Sequence, residues 1–408
     1  MHLNFLAFAI PLFLFFIACE YLYSKRSGKN FFQYAESVAN INVGIAERLL
    51  DLFTTGLFFY FFTYVYKNFA LFDIKENFLV WVLLFLVTDF IWYWYHRLAH
   101  EINAFWAAHV VHHQSEDFNY TVSARITVFQ AVIRSLFWAV LPLLGFPPLM
   151  ISILLLVHGI YPFFIHTQAL GKWGWFEKIL VTPTHHGIHH ASNPEYLDKN
   201  YGDVLIIWDK LFGTFVEENK NIKITYGLTK PLESHSFLWQ HFHFVLEILL
   251  NFYHAKGFKQ KWRTLFGKPD DLDSRYRDIL ERKFLRHRRT KETPTKAMRY
   301  YVSIQTGISL LVLFIVLLFE QYFSAKSLTL FSLFIIISLI NCGAILDQRR
   351  WISYLEIARV CLVLFILYYY QPSSYTATLF VSTIMIGIIY FSDIQRFYTR
   401  ILYSRSES

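Results

Sequence analysis

Apolar runs of about 20 residues recur along this chain with short polar breaks between them, the length a bilayer imposes on a helix that crosses it. Nine runs stand out, near residues 3–19, 49–66, 77–95, 127–144, 148–166, 299–319, 327–346, 352–370 and 375–392. The expected fold class is an all-α polytopic membrane protein with about nine transmembrane helices. Lysine and arginine concentrate on alternate loops: 20–48, 96–126, 167–298, 347–351 and 393–408 hold nearly all of them. The opposite loops, such as 144–147 and 371–374, are short and almost uncharged. By the positive-inside rule the N-terminus lies outside and the C-terminus in the cytoplasm. The first run has its basic residues after it (Lys25, Arg26, Lys29) and none in front, the pattern of a retained anchor rather than a cleaved signal.

Composition agrees with that class. Of 408 residues 55% are hydrophobic and only 17% charged, where a soluble domain carries about 25% charged residues. The net charge of +8 reads as topology and lipid contact. Nucleic-acid binding would need an exposed basic domain with a reading element, and the pattern offers none. Cys19, Cys342 and Cys361 lie in or beside apolar runs without CxxC spacing, so neither a disulfide framework nor a thiolate metal site is expected. No haem, dinucleotide or P-loop motif is present, so any electrons must come from an external donor. The expected domains are 1–76, N-terminal spans; 77–235, a catalytic segment; 236–298, a basic cytoplasmic segment; and 299–408, a four-span bundle without histidine boxes. Within 256–296, Lys259, Lys261, Arg263, Arg282, Lys283, Arg286, Arg288 and Arg289 form either a solvated positive-inside face or a patch for anionic headgroups.

Histidine adds the chemistry. Eleven of the seventeen lie between His96 and His190, most of them in three boxes: HRLAH (His96, His100), HVVHH (His109, His112, His113) and HGIHH (His186, His189, His190). At about 100° per helical residue the three members of box two, or of box three, fall within an arc of about 100°. On a strand, His112 would point away from His109 and His113. Helices projecting imidazoles into a shared cavity, a histidine-rich cap on the cytoplasmic side, are therefore expected. Eight unpaired imidazoles beside hydrocarbon would be costly, whereas neutral imidazole is a common metal ligand. Their number exceeds the needs of one ion, so two are expected. Redox work would select iron, and hydrolytic work would allow zinc.

Other residues sharpen this picture. His166 ends a span level with the boxes and is the expected ninth ligand, with Pro162 before it as a kink. His158 is deeper, either a ligand or a packed polar residue. His185 falls outside the arc of box three and is expected behind the ligands. Asp89, seven residues before His96, is an intramembrane carboxylate expected to orient a histidine or handle protons. Glu101 either orients a ligand or faces water. His235, His241, His243 and His254 lack box spacing and are expected at the surface or in packing. Trp92, Tyr93, Trp94 and Tyr95 line either a lipid slot or an interfacial belt, and Phe105 and Trp106, between boxes one and two, are the better slot candidates.

Three stretches, DFIWYWYHRLAHEINAFWAAHVVHHQSEDFNYTVSAR from Asp89, IHTQALGKWG from Ile165 and THHGIHHASNPEYLDKNYGDVLIIWDKLFGTF from Thr184, together with YGLTKPLES from Tyr226, resemble the fatty acid hydroxylase/sterol desaturase superfamily of integral membrane non-haem di-iron enzymes. The likeness covers about residues 80–235 and is strongest to the members that cleave ether lipids. It implies that His96, His100, His109, His112, His113, His186, His189 and His190 ligate two Fe ions, and it matches Glu101 to a glutamate that follows box one. It also implies O2 as oxidant, tetrahydrobiopterin as electron donor and an ether lipid as substrate, in a bacterial inner membrane or the endoplasmic reticulum. Hydroxylation at the ether-bearing carbon would give a hemiacetal that collapses to a fatty aldehyde and a glycerol derivative. Two other readings stay open: a sterol or fatty acyl hydroxylase or desaturase with another donor, and a divalent metal transporter. The second fits less well, because transport sites lie near the midplane.

Overall fold

The computed structural model of the protein describes residues 3–127, 129–285 and 295–403. Arg286, Arg288 and Arg289 of the basic stretch lie outside the described residues. Apart from two isolated bridges, Leu180 with Leu205 and Ala191 with Tyr226, the secondary structure among the described residues is helical. Contacts divide the chain into two units: Phe15–Leu232 with His241–Arg286, and Met1–Leu14 with Glu233–Gln240 and His287–Ser408.

The helices that matter in the first unit are α1 (Ala9–Arg26), α2 (Tyr34–Phe69), α3 (Phe78–Glu101), α4 (Asn103–His109), α5 (Gln130–Trp138), α6 (Pro148–Ile165), α7 (Pro183–His189), α8 (Ile207–Phe212), α9 (Phe237–His254) and α10 (Gly257–Phe266). The division between units falls inside α1 and again inside α9. An apolar core of Phe62, Leu84, Tyr95, Trp138, Leu141, Phe146, Met150, Ile151 and Leu154 ties α2, α3, α5 and α6 together. A second core of Val43, Ala107, Val110, Val111, Phe244 and Ile248 lies under box two. The other unit holds α11 (Lys296–Leu318), α12 (Ala325–Leu346), α13 (Ile352–Tyr370), α14 (Ser374–Ile389) and α15 (Phe391–Tyr403).

Seven helices among the described residues are long and apolar enough to cross a membrane, or eight if the bent pair α14–α15, angled at 81°, counts as one. The expectation of nine is thus approximate. The run at 127–144 makes only a short apolar helix, Gln130–Leu144, of about 22 Å, less than the roughly 30 Å of hydrocarbon. Helix α2 departs from expectation in the other direction. Its 36 residues make a rod of about 54 Å that takes in half of the segment expected as a loop at 20–48. The polar residues behind that reading are buried partners. Asn40 donates to Ser115 Oγ (3.2 Å) and Thr121 Oγ1 (2.9 Å) and accepts from Arg125 (2.9 Å). Gly44 lets α2 pass so close to Ala124 that an added Cβ would lie 2.7 Å from that residue's methyl.

Candidate metal centre

Box one occupies the last two turns of α3. Box two starts at the end of α4 with His109 and continues through a 3-10 turn, His112–Gln114. A continuous helix was expected here, and buried Arg125 explains the difference. Its Nε–H donates to Val111 O (2.5 Å) and its Nη2 to Gln114 Oε1 (2.6 Å), drawing off a carbonyl that the next helical turn would use. Box three lies on α7, which starts at Pro183 behind the N-cap Thr182, a favourable start for a helix. His190 is its C-cap. His185 faces back to that start, its Nδ1 accepting from Thr182 N–H at 3.4 Å, and stays apart from the other imidazoles of its box.

The boxes converge. His96, His100, His109, His113 and His189 bring their ligand atoms within 4.8 Å of one another, and so do His112, His166, His186 and His190. The two sets border each other where the rings of His113 and His190 stack at 4.4 Å. His166 therefore joins the eight box histidines, while His158 and Asp89 form a separate buried group with Asp203.

Backbone carbonyls fix several tautomers. A carbonyl can only accept, so a ring nitrogen facing one carries the proton. His96 Nδ1 donates to Tyr201 O (2.8 Å), His112 Nδ1 to Arg125 O (3.2 Å), His166 Nδ1 to Pro162 O (2.5 Å) and His189 Nδ1 to Lys199 O (2.9 Å). Each of these rings turns a bare Nε2 lone pair inward. The Nε2 atoms of His112 and His166 then face each other at 3.1 Å with no proton between them, a repulsive arrangement that a cation relieves. Further Nε2 pairs stand at 3.0 Å (His96 and His109), 3.1 Å (His109 and His113), 2.9 Å (His166 and His186) and 3.2 Å (His186 and His190). Nitrogens at about 2.1 Å from one ion are about 3.0 Å apart on an octahedral edge and about 3.4 Å on a tetrahedral one. The donors fit metal ions.

Electrostatics supports the ligand form. Burial, followed by the neighbouring imidazoles, holds His109, His112, His113, His186, His189 and His190 well below the ordinary 6.5, and burial brings His166 down to about 4. Metals bind the neutral ring that results. Aromatic rings close the centre: Trp106 lies 4.9 Å from His100 and 5.6 Å from His113. Phe118 lies 5.3 Å from His190 and 5.7 Å from His166. Phe105 turns away to Phe137.

The expected carboxylates sit outside these sets. Glu101 pairs with Arg97 at 3.0 Å. Asp89 accepts from Val204 N–H (3.0 Å), Leu205 N–H (3.2 Å) and Trp208 Nε1–H (2.8 Å). It thus acts on the segment that carries Tyr201 and Lys199. Asp209 grips the same segment, accepting from Tyr201 N–H and Gly202 N–H at 2.8 Å each. Sequence reasoning missed this support. The carbonyls of Lys199, Tyr201 and Arg125 carry no residue code, and the one available signal was two acids, Asp203 and Asp209, at the ends of the otherwise apolar run DVLIIWD.

Comparison with known proteins agrees with the geometry. The fatty acid hydroxylase family model matches residues 81–214, which hold all nine clustered histidines. Alkylglycerol monooxygenase of Homo sapiens is 33% identical over 373 residues, 88% of this chain and 81% of that protein. The Danio rerio enzyme of the same name is 31% identical, over 87% of this chain and 80% of its own length. The Xenopus tropicalis enzyme is 32% identical, over 81% and 75%. No solved structure matches the chain.

Proposed function

We propose that this chain, which belongs to the alkylglycerol monooxygenase family of fatty acid hydroxylases, cleaves the ether bond of alkylglycerols by hydroxylating the ether-bearing carbon. The overall balance is R–CH2–O–R′ + O2 + 2e− + 2H+ → R–CH(OH)–O–R′ + H2O, and the hemiacetal falls apart to R–CHO and HO–R′. The nine clustered histidines hold two irons, which supply O2 activation when bound. The two electrons come from a tetrahydropterin, on the family resemblance. The protein's own part is to preset the ligands. Carbonyls of Tyr201, Lys199, Arg125 and Pro162 hold four rings with Nε2 inward. Trp106 and Phe118 shield the two sets from bulk water, and α3 and α6 bring the centre to the ends of spans where a lipid enters sideways. The boxes lie on the cytoplasmic face, as the Lys/Arg distribution implies.

The observation that carries this reading is the inward-facing pair of unprotonated nitrogens on His112 and His166. The test is to supply membranes containing the protein with an alkylglycerol, with and without a tetrahydropterin, and to assay fatty aldehyde. Pterin-dependent aldehyde and tightly held iron near two per chain are expected. Aldehyde-free oxidation of a sterol or acyl chain with another donor would replace the substrate assignment. Weakly held, exchangeable zinc would favour a transporter.

A further inference from the structure

Between α3, α5 and α6 lies a set of polar groups that the metal centre does not use. Thr88 Oγ1, Tyr95 Oη, Trp138 Nε1 and His158 Nε2 are buried, and none has a hydrogen-bond partner among the described residues. Tyr95, Trp138 and His158 share one neighbour, Trp92, whose ring lies 5.3 Å from Trp138, 6.2 Å from His158 and 6.3 Å from Tyr95. Thr88, Trp92 and Tyr95 follow i, i+4, i+7 spacing and so share a face of α3. Arg134, one turn before Trp138 on α5, sets its guanidinium over the Trp92 ring at 5.7 Å. Around them the core is apolar, with Leu84, Leu141, Met150 and Leu154.

A buried hydroxyl or N–H left unbonded costs about 1–3 kcal/mol, and native interiors carry few of them. Four between these helices call for a guest, and their chemistry says which. Trp138 donates only. His158 has Nδ1 facing Asp203 at 2.6 Å, so in the neutral ring that donates there its Nε2 accepts. Tyr95 and Thr88 can do both. An alcohol, which donates and accepts at one oxygen, satisfies such a mixed set, whereas an anion cannot donate to His158. Carboxylates also lie close to that ring, Asp203 and Asp89, the latter 3.7 Å from its Nδ1, and they repel a phosphate. The guanidinium of Arg134 repels an ammonium head.

We propose that the α3–α5–α6 seam is the headgroup site for an uncharged lipid bearing free hydroxyls. Tyr95 lies one residue before His96 on α3, about 1.5 Å away along the axis, so a head held by Tyr95 and Trp138 sits at the depth of the centre on the neighbouring face of that helix. The proposal rests on the ether-lipid reading only for the identity of the substrate.

The test uses the full-length protein in detergent and follows thermal unfolding against two probes, 1-O-hexadecylglycerol and hexadecyl propyl ether, which lacks the hydroxyls. The midpoint of the unsubstituted protein is expected to rise with the first probe and not with the second. Tyr95→Phe and Thr88→Val each remove one polar group and keep the side chain's size. Without lipid they are expected to unfold at the same or a higher temperature, since an unbonded group is lost. Each should need about tenfold more alkylglycerol for the same rise, with iron content unchanged. The proposal is overturned if both probes act alike or neither acts, if the variants respond at the original concentration, or if they unfold several degrees lower without lipid. Aldehyde release is measured separately. Its absence alongside a hydroxyl-selective response removes the ether-cleavage reading and leaves the site; its presence with unaltered variants removes the site alone.

Discussion

At the scale of single residues, what matters is which ring nitrogen is bare. The spacing in HVVHH and HGIHH showed which histidines would gather, and His166 was placed by its depth at a span end. The carbonyl partners were not legible, because any residue supplies a carbonyl and only the fold aims it. His112 is set by Arg125 O and faces His166. His112→Ala is therefore expected to lower iron from near two to near one per chain and abolish aldehyde formation, with the protein still in the membrane, as metal analysis, turnover and membrane fractionation would show. His185→Ala, at the start of α7, should keep both irons and lose about 1 kcal/mol or less of stability. A pH effect follows from the same rings. Six histidines of the centre are held well below 6.5 in the folded state, whereas in the unfolded chain they take up protons near 6.5. The unfolded state therefore binds more protons as pH falls through that value, and stability falls with it. The iron-stripped protein should show an unfolding midpoint that is flat above about pH 7.5 and drops steadily below 6.5, readable by thermal scans across buffers.

At the scale of elements, the periodicity of apolar residues found the rods better than their ends. α3 and α6 were legible because each is a long apolar run that stops at a histidine. The 3-10 turn of box two was not, since its cause, Arg125, is remote in sequence and looked like an ordinary loop cation. The buried half of α2 was hidden likewise, because its asparagines point at protein rather than water. The segment 199–205 has no regular structure, yet it orients two of the clustered histidines from one side: Lys199 O for His189 and Tyr201 O for His96. Both belong to the five-histidine set. Gly202 sits at its tightest point, where an added Cβ would meet Leu205 O at 2.8 Å and Asp209 Oδ2 at 2.9 Å. Gly202→Ala must push the loop off its clamp, so selective loss of the iron held by the five-histidine set is expected. Mössbauer spectra of ⁵⁷Fe-loaded protein should retain one of two iron environments, whereas a general folding defect would remove both.

At the scale of the whole molecule, the clustered histidines fall in one of the two units, and the other is expected to take no part in the chemistry. All nine clustered histidines belong to the unit Phe15–Leu232 with His241–Arg286. No histidine box falls after residue 298, and the sequence pattern does not show what holds the last helices together. Within them a buried polar knot joins α11, α12 and α13. Glu356 accepts from Arg359 Nη2 (2.5 Å), Tyr301 Oη (2.5 Å) and Asn341 Nδ2, and Arg359 also donates to Tyr301 Oη (2.9 Å). Both members of the ion pair are buried. Removing one leaves the other charge stranded, a loss of about 3–5 kcal/mol, whereas trimming the Tyr301 hydroxyl, which bonds both charged partners, costs about 1.5–3 kcal/mol. Arg359→Leu should therefore unfold at lower temperature than Tyr301→Phe, and Tyr301→Phe below the unsubstituted protein. Because none of the nine clustered histidines lies in this unit, folded protein of both variants should still carry iron near two per chain by metal analysis after size exclusion. Loss of iron from folded Tyr301→Phe protein would mean that this bundle takes part in building the centre, and would overturn the division of roles.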